Sequence, residues 1–139
     1  MRVNLDSVPG RTLVTGGSGF IGSMIIKAST SNIRALVHKE AVEGNKIDRV
    51  YGDFLSSENQ FEKWIDGVNS IIHAARPSSG NTAGRYRIAR RTREANLSMV
   101  SVVKESNIPS TILMHGSLSY GHRGEDLVHT DSILNPVVY

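Results

Sequence analysis

A glycine-rich segment directly behind a short apolar run constrains the fold of this chain more than any other feature. Residues 15–22 read TGGSGFIG, and they follow the apolar pair Leu13-Val14. Glycine tolerates the positive φ of a tight turn and lets backbone amides approach an anion without a Cβ in the way. A helix after such a turn adds unpaired N–H groups and the positive end of its dipole. The segment therefore predicts a strand that turns sharply into a helix around a phosphate group.

Two glycine registers fit the same letters. Gly17, Gly19 and Gly22 satisfy G-x-G-x-x-G, whereas Gly16, Gly19 and Gly22 satisfy the wider G-x-x-G-x-x-G. Both are compatible with a dinucleotide site when a strand precedes the loop and a helix follows it. The loop therefore predicts a dinucleotide, and its letters alone leave the register and the cofactor class open.

The rest of the chain alternates short apolar runs with longer amphipathic stretches, which is the pattern of an α/β protein. The predicted strands are residues 11–15, 33–37, 49–51, 70–73 and 111–114. Helices are predicted over residues 20–29, 57–65 and 92–106, the first with Ile21, Met24, Ile25 and Ala28 on one apolar stripe. A loop is predicted over residues 77–84. Short apolar strands separated by helices indicate a doubly wound parallel sheet of about five strands, with helices on both faces.

Composition narrows the setting. The 139 residues suit one domain, and the absence of cysteine excludes disulfides, thiol catalysis and cysteine-ligated zinc. We see no secretory leader and no apolar run of about 18 residues, so we expect a soluble cytoplasmic protein outside the membrane. No metal site is expected because the histidines stand at unrelated spacings, at His38, His73, His115, His122 and His129.

Much of the net charge of +3 comes from one arginine-rich segment, residues 85–93. Only Tyr86 accompanies it as an aromatic residue, so we expect no nucleic-acid partner. An acidic small-molecule substrate is the better match for one or two of these arginines. They are Arg85, Arg87, Arg90, Arg91 and Arg93.

Five segments in order resemble the short-chain dehydrogenase/reductases, and within them the extended branch known as NAD-dependent epimerase/dehydratase. Residues 15–22 match T-G-x-x-G-x-x-G, which selects the wider glycine register. Residues 51–53 (YGD), residues 71–75 (IIHAA), Asn96 and residues 115–121 (HGSLSYG) are similar to the later motifs of the family. The resemblance spans nearly the whole chain and implies a Rossmann-like domain over residues 1–139 that binds NAD or NADP.

The resemblance also implies roles for individual residues. The glycine loop would hold the pyrophosphate, Asp53 with the neighbouring Phe54 would meet the adenine, and the segment ending in Ala75 would border the nicotinamide half. The residues expected at the cofactor are Gly16, Ser18, Gly19, Phe20, Ile21, Gly22, His38, Lys39, Asp53, Phe54, His73, Ala74, Ala75 and Asn96.

The end of the second predicted strand bears on the choice between NAD and NADP. An NAD site places a carboxylate there for the ribose hydroxyls, whereas an NADP site must neutralise a 2′-phosphate. The acid position falls on Val37, and His38 and Lys39 follow it, so we expect NADP. The alternative is NAD, with Glu40 facing the ribose if the strand runs longer.

The catalytic half of the family pattern is incomplete. The resemblance implies a hydroxyl after the fifth strand and a Tyr-x-x-x-Lys pair. Ser117 provides the hydroxyl only with a shift of one residue, and Tyr139 matches the tyrosine but is the last residue. We therefore expect the N-terminal part of a longer oxidoreductase, epimerase or dehydratase, inactive by itself, whose substrate bears a hydroxyl or keto group, such as a nucleotide sugar. The alternative is a non-catalytic NADP-binding sensor.

Family members often dimerise through helices of this region. The helix predicted over residues 92–106 carries Leu97, Val100 and Val103 on its apolar side. A homodimer through this helix is therefore expected.

Overall fold

Five short segments form a single parallel sheet in the computed structural model, which describes residues 10–30, 32–56, 60–77, 81–113 and 123–133. In chain order the elements are β1 (Arg11–Thr15), α1 (Phe20–Ala28), β2 (Asn32–Val37), β3 (Asp48–Tyr51), α2 (Phe61–Ile65), β4 (Val68–His73), α3 (Thr82–Glu105) and β5 (Ser110–Leu113). The predicted α/β class is confirmed, and the described strands agree with the predicted ones to within one or two residues.

The strands lie in the order β3-β2-β1-β4-β5, with β1 in the centre. All four pairings are parallel, so the carboxyl ends of the strands share one edge of the sheet. The chain moves outward from β1 to β2 and β3, then returns across β1 to β4. This reversal creates a crevice at the carboxyl end of β1, which is where open α/β sheets bind their ligands.

Successive residues of each central strand enter two different cores, because side chains alternate across a sheet. Leu13 and Ile71 belong to the core beneath α2 and α3, whereas Val14 and Ile72 belong to the core beneath α1. Burial on both faces explains why these strands read as continuous apolar runs. The first core is the larger and contains Leu13, Leu36, Phe54, Phe61, Trp64, Ile65, Val68, Ile71, Ala95 and Met99.

Helix α1 packs on a different face from the one its apolar residues suggested. Of the stripe expected from sequence, Ile25 packs against the core but Ile21, Met24 and Ala28 are exposed, and the fully buried residues are Gly22 and Ile26. Gly22 has no side chain and lies against the Gly16 carbonyl, so the face bearing Gly22 approaches the sheet most closely. Ile26, one turn later on that face, is therefore carried into the core.

Helix α3 begins about three turns earlier than predicted, so the loop expected over residues 77–84 is wrong at its end. The Asn81 side chain caps the helix by accepting the Gly84 N–H at 2.7 Å. The following arginines favour helix but carry no apolar periodicity, which concealed the early turns from the sequence reading. The expected stop is confirmed, because α3 ends at Glu105 and Asn107 adopts a φ of 54°.

The residues expected to form a dimer surface on α3 do not share one environment. Leu97 is exposed, whereas Val103 packs against the larger core. Dimerisation through this helix therefore stays a prediction. Within the described part of the chain, no helix is long and apolar enough to cross a membrane.

Candidate functional site

A cleft of about 710 Å³ opens at the carboxyl edge of the sheet, where β1, β2 and β4 end. It brings together four separate segments of the sequence: the glycine loop, the turn after β2, the turn after β3, and the residues after β4. All of the predicted cofactor residues except His73 and Asn96 line it, namely Gly16, Ser18, Gly19, Phe20, Ile21, Gly22, His38, Lys39, Asp53, Phe54, Ala74 and Ala75.

The glycine loop packs so closely against the segment after β4 that no side chain fits between the two backbones. Gly16 has a φ of +73°, and a Cβ placed on it would lie 2.6 Å from the backbone nitrogen of Ala75. A Cβ on Gly22 would overlap the carbonyl group of Gly16. At Gly17 a Cβ would meet only side-chain atoms, of which the nearest is Ile26 Cδ1 at 2.9 Å. The wider register, with glycine at 16 and 22, therefore describes the packing of this loop.

Helix α1 presents its amino end to the cleft without a side-chain cap. Gly19 is the N-cap residue, and its own N–H is bonded to the Gly16 carbonyl at 3.0 Å. The first turn contains no acidic residue, so no carboxylate competes for the amides there. Phe20 is 84% exposed and Ile21 47% exposed at this end of the helix. The arrangement can accept an anion through backbone amides and the helix dipole.

The opposite wall combines two basic side chains with one carboxylate. Strand β2 ends at Val37, as predicted, and both His38 and Lys39 line the cleft after it. Asp53 lies across from them, with Oδ2 3.9 Å from His38 Nε2 and Oδ1 accepting the Leu55 N–H at 2.9 Å. Glu40, on which the NAD alternative depends, is exposed and is not among the lining residues.

His73 lies behind the cleft wall rather than in it. The ring is buried, its Nδ1 is 2.7 Å from Thr15 Oγ1, and its centroid is 4.5 Å from that of Phe54. Burial lowers the pKa of His73 below its usual value of 6.5, and a side-chain hydrogen bond with Asn96 opposes that shift. His73 is therefore neutral at pH 7. Its neighbours Phe54 and Ala75 line the cleft, and His73 does not.

The arginine segment contributes to the site less than its charge suggests. Arg91 donates to the Leu55 carbonyl at 2.8 Å and so ties α3 to the segment after Asp53. Arg90 forms an exposed ion pair with Glu94 at 3.0 Å. None of the arginines of residues 85–93 lines the cleft.

Arg76 is a lining residue that the sequence reading missed. It is exposed and follows Ala75 directly, at the carboxyl end of β4. Its position next to a predicted cofactor residue was the available signal. The other unpredicted lining residues are Leu36, Gly52, Leu55, Pro77 and Ile88.

The two predicted catalytic residues, Ser117 and Tyr139, lie outside the described residues. Among the residues that the structure describes, no group of three or more histidine, aspartate or glutamate side chains is arranged to hold a metal ion.

Solved structures with this fold include several sugar-modifying enzymes. The chain superimposes with a TM-score of 0.76 on a short-chain dehydrogenase/reductase superfamily protein from Agrobacterium tumefaciens with bound NAD, at 20% identity, over 92% of this chain and 40% of that one. It superimposes with a TM-score of 0.73 on a UDP-glucose 4-epimerase from Brucella ovis in complex with NAD, at 21% identity, over 91% and 42% of the two chains.

A third similar structure is a UDP-N-acetylglucosamine 4-epimerase from Methanobrevibacter ruminantium in complex with UDP-N-acetylmuramic acid, at 21% identity and a TM-score of 0.73, over 91% and 44% of the two chains. The chain thus spans less than half the length of these proteins, and at this identity they establish the fold alone. The profile of the NAD dependent epimerase/dehydratase family matches residues 12–137, almost the entire sequence. With that match and the glycine loop fitted beneath the cleft, the chain belongs to the NAD dependent epimerase/dehydratase family.

Proposed function

We propose that this chain is the NAD(P)-binding part of an enzyme that epimerises or dehydrates a nucleotide sugar. The observation that carries the proposal is the uncapped amino end of α1, which opens into the cleft above a glycine loop whose Gly16 and Gly22 leave no room for a Cβ. A cradle of this kind suits a pyrophosphate, because the anion is bound by backbone amides that side chains would otherwise screen.

The cleft, of about 710 Å³, has separate lining segments for the two halves of a dinucleotide. The pyrophosphate would lie at residues 16–22, the adenosine half between Lys39 and Asp53, and the nicotinamide half along Ala74 and Ala75. When bound, the nicotinamide ring supplies hydride transfer to or from a carbinol carbon. The residues of this chain bind and orient the cofactor, and they exclude water from its buried face.

The substrate class follows from family membership and from the charge at one end of the cleft. Two of the similar structures are named as UDP-sugar 4-epimerases. Arg76 lines the cleft beside the residues proposed to border the nicotinamide half, and among the described residues it has no ion-pair or hydrogen-bond partner. An unpaired guanidinium at that position suits the diphosphate of a nucleotide sugar.

Titration of this chain with NADP⁺ and NAD⁺ tests the proposal. We expect saturable binding of one dinucleotide per chain, with a dissociation constant between about 1 μM and 1 mM, the range in which enzymes commonly bind small substrates. Isothermal titration calorimetry measures it directly. A folded chain that shows no saturable binding of either cofactor would contradict the proposal.

We further propose that the cofactor is NADP, since Lys39 and His38 line the cleft where β2 ends and the strand ends in Val37 rather than an acid. Lys39→Glu is expected to weaken NADP⁺ binding by about tenfold or more, because a charge-assisted hydrogen bond to the 2′-phosphate contributes about 1.5–3 kcal/mol. NAD⁺ binding should change far less. The ratio of the two dissociation constants is the measurement.

Lys27→Glu is the matched control. It makes the same charge change on an exposed lysine in the last turn of α1, away from the cleft. We expect it to leave the ratio of NADP⁺ to NAD⁺ affinity unchanged. If both substitutions changed the ratio of NADP⁺ to NAD⁺ affinity equally, Lys39 would act only through long-range charge. If Lys39→Glu left that ratio unchanged, the NADP assignment would be overturned.

A further inference from the structure

We infer that Thr15, His73 and Asn96 form a hydrogen-bonded relay that fixes His73 as its neutral Nε2–H tautomer and positions the cleft wall at Ala75 and Phe54 for the dinucleotide. The positioning part rests on the proposed function. His73 and Asn96 are then positioning residues rather than cofactor contacts.

The tautomer follows from the single proton of the Thr15 hydroxyl. Thr15 is fully buried, and its Oγ1 lies 2.7 Å from His73 Nδ1 and receives the Ala75 N–H at 3.4 Å. Within the described ranges, His73 Nδ1 is the one acceptor to which this hydroxyl is hydrogen-bonded. A buried hydroxyl proton without an acceptor is costly, so Thr15 donates to Nδ1 and the ring proton resides on Nε2.

Asn96 supplies the other end of the relay. Its Oδ1 atom is buried, and no group in the described part of the chain satisfies it with regular hydrogen-bond geometry. The Asn96 side chain is nevertheless close enough to His73 to work against the effect of burial on the pKa of the ring. An Nε2–H directed at Oδ1 satisfies both groups, whereas the other tautomer would leave an imidazole nitrogen and an amide oxygen facing each other as acceptors.

The relay connects the cleft wall to the centre of the sheet. Thr15 and His73 are register partners on β1 and β4, the strands that meet at the switch point. Through Oγ1, Thr15 holds the Ala75 amide, and Ala75 is the residue against which Gly16 packs. The His73 ring packs against Phe54, which is one of the residues that line the cleft. A change of tautomer would therefore move two lining residues together.

Protonation should break this arrangement from the Nδ1 side. A second ring proton would point at Thr15 Oγ1, so the hydroxyl would have to turn its own proton toward atoms that cannot accept it. The groups that the structure places against the ring are Thr15 of β1, Phe54 after β3 and Asn96 of α3, and none of them titrates near neutral pH. Because burial lowers the pKa of His73, the loss of dinucleotide affinity should begin at a lower pH than an ordinary histidine would give.

The tautomer is tested first on the chain without cofactor, by ¹⁵N NMR of its histidines at pH 7. We expect the His73 ring to show an unprotonated Nδ1 and a protonated Nε2, with no averaging between tautomers. A protonated Nδ1, or a mixture of the two forms, would overturn the inference. This measurement is independent of dinucleotide binding, so it separates failure of the relay from failure of the proposed function.

Positioning is tested with variants that remove one relay group at a time. Thr15→Val deletes the hydroxyl at similar volume and should weaken dinucleotide binding by about tenfold, the equivalent of one hydrogen bond, while Thr15→Ser should restore it. Asn96→Ala leaves Thr15 to fix the tautomer but removes the group proposed for the Nε2 side, so it should also weaken dinucleotide binding, which gives a second route if Thr15→Val does not fold.

Thr12→Val is the matched control for these variants. Thr12 lies on the same strand, and its Oγ1 is 2.7 Å from Ser70 Oγ in an equally buried pair that does not line the cleft. It should reduce stability without changing the dissociation constant or the His73 tautomer. Equal weakening of binding by Thr12→Val and Thr15→Val would show that the loss reflects general destabilisation, and it would overturn the positioning role.

Discussion

Gly16→Ala is expected to abolish dinucleotide binding and to lower the free energy of unfolding by about 3 kcal/mol, the sum of a left-handed backbone penalty and an overpacking penalty. The φ of +73° disfavours any residue with a Cβ. The Cβ would also lie 2.6–2.7 Å from three backbone atoms of Ala74 and Ala75. Since those atoms belong to the segment that ends β4, relief requires β1 and β4 to separate at the cleft. Urea unfolding and calorimetric titration of the cofactor measure the two effects.

Two other glycines separate these causes. Gly67 has a φ of +67° and nothing within 4 Å of a built Cβ, so Gly67→Ala reports the backbone penalty alone, about 1–2 kcal/mol. In Gly22→Ala the Cβ would lie within 2.7 Å of the Gly16 carbonyl carbon at an ordinary φ, so it reports the overlap alone. We expect Gly67→Ala to retain cofactor binding and Gly22→Ala to lose it. A Gly16→Ala chain no less stable than Gly67→Ala would refute the rigid contact with Ala75.

The sequence predicted the three central strands well because β1, β2 and β4 are buried on both faces. Leu13-Val14 and Ile71-Ile72 are adjacent apolar pairs whose members enter opposite cores, and such pairs mark a covered parallel strand without any need for tertiary information. The glycine loop could also be predicted, because the contact that requires glycine at position 22 is with Gly16, within the same short segment. These features depend on local sequence, and so they could be predicted.

The early turns of α3 and the burial of α1 could not be predicted from sequence. Residues 82–91 carry arginines on most sides, and a helix that packs few of its side chains has no apolar period to detect. In α1 the face that bears Gly22 packs on the sheet in place of the expected apolar stripe. Two backbones approach most closely where the side chain between them is smallest. Both errors concern tertiary packing rather than local propensity.

The site was predictable in its members but not in their arrangement. His73 and Ala75 belong to one motif, yet Ala75 lines the cleft and His73 faces the core beneath α3. Which residue touches a ligand depends on where the strand ends and on which face each side chain lies, and the motif records neither. Ile88 became a lining residue only because α3 starts at Thr82.

Arg34→Met is expected to lower the free energy of unfolding by about 3 kcal/mol, because it removes a mostly buried guanidinium from an ion pair and from two backbone carbonyls. The Arg34 Nε lies 2.7 Å from Asp48 Oδ2, and its NH1 group donates to the carbonyls of Trp64 and Asp66 at 3.0 and 2.7 Å. Methionine fills similar space but leaves both carbonyls unpaired. Arg11, 3.1 Å from the same carboxylate oxygen, retains part of the attraction for Asp48. Urea unfolding provides the measurement.

The same substitution at Arg90 distinguishes burial from charge. Arg90 pairs with Glu94 at 3.0 Å, but the two side chains are 82% and 57% exposed, so Arg90→Met should change stability by less than about 0.5 kcal/mol. None of the groups around Arg34 lines the cleft, and its loss should leave the dinucleotide dissociation constant within about twofold of the original. Equal losses of unfolding free energy in Arg34→Met and Arg90→Met would contradict the larger stabilising role assigned to Arg34. A large loss of binding in Arg34→Met would show instead that the outer strands of the sheet, and not only β1 and β4, hold the cleft in shape.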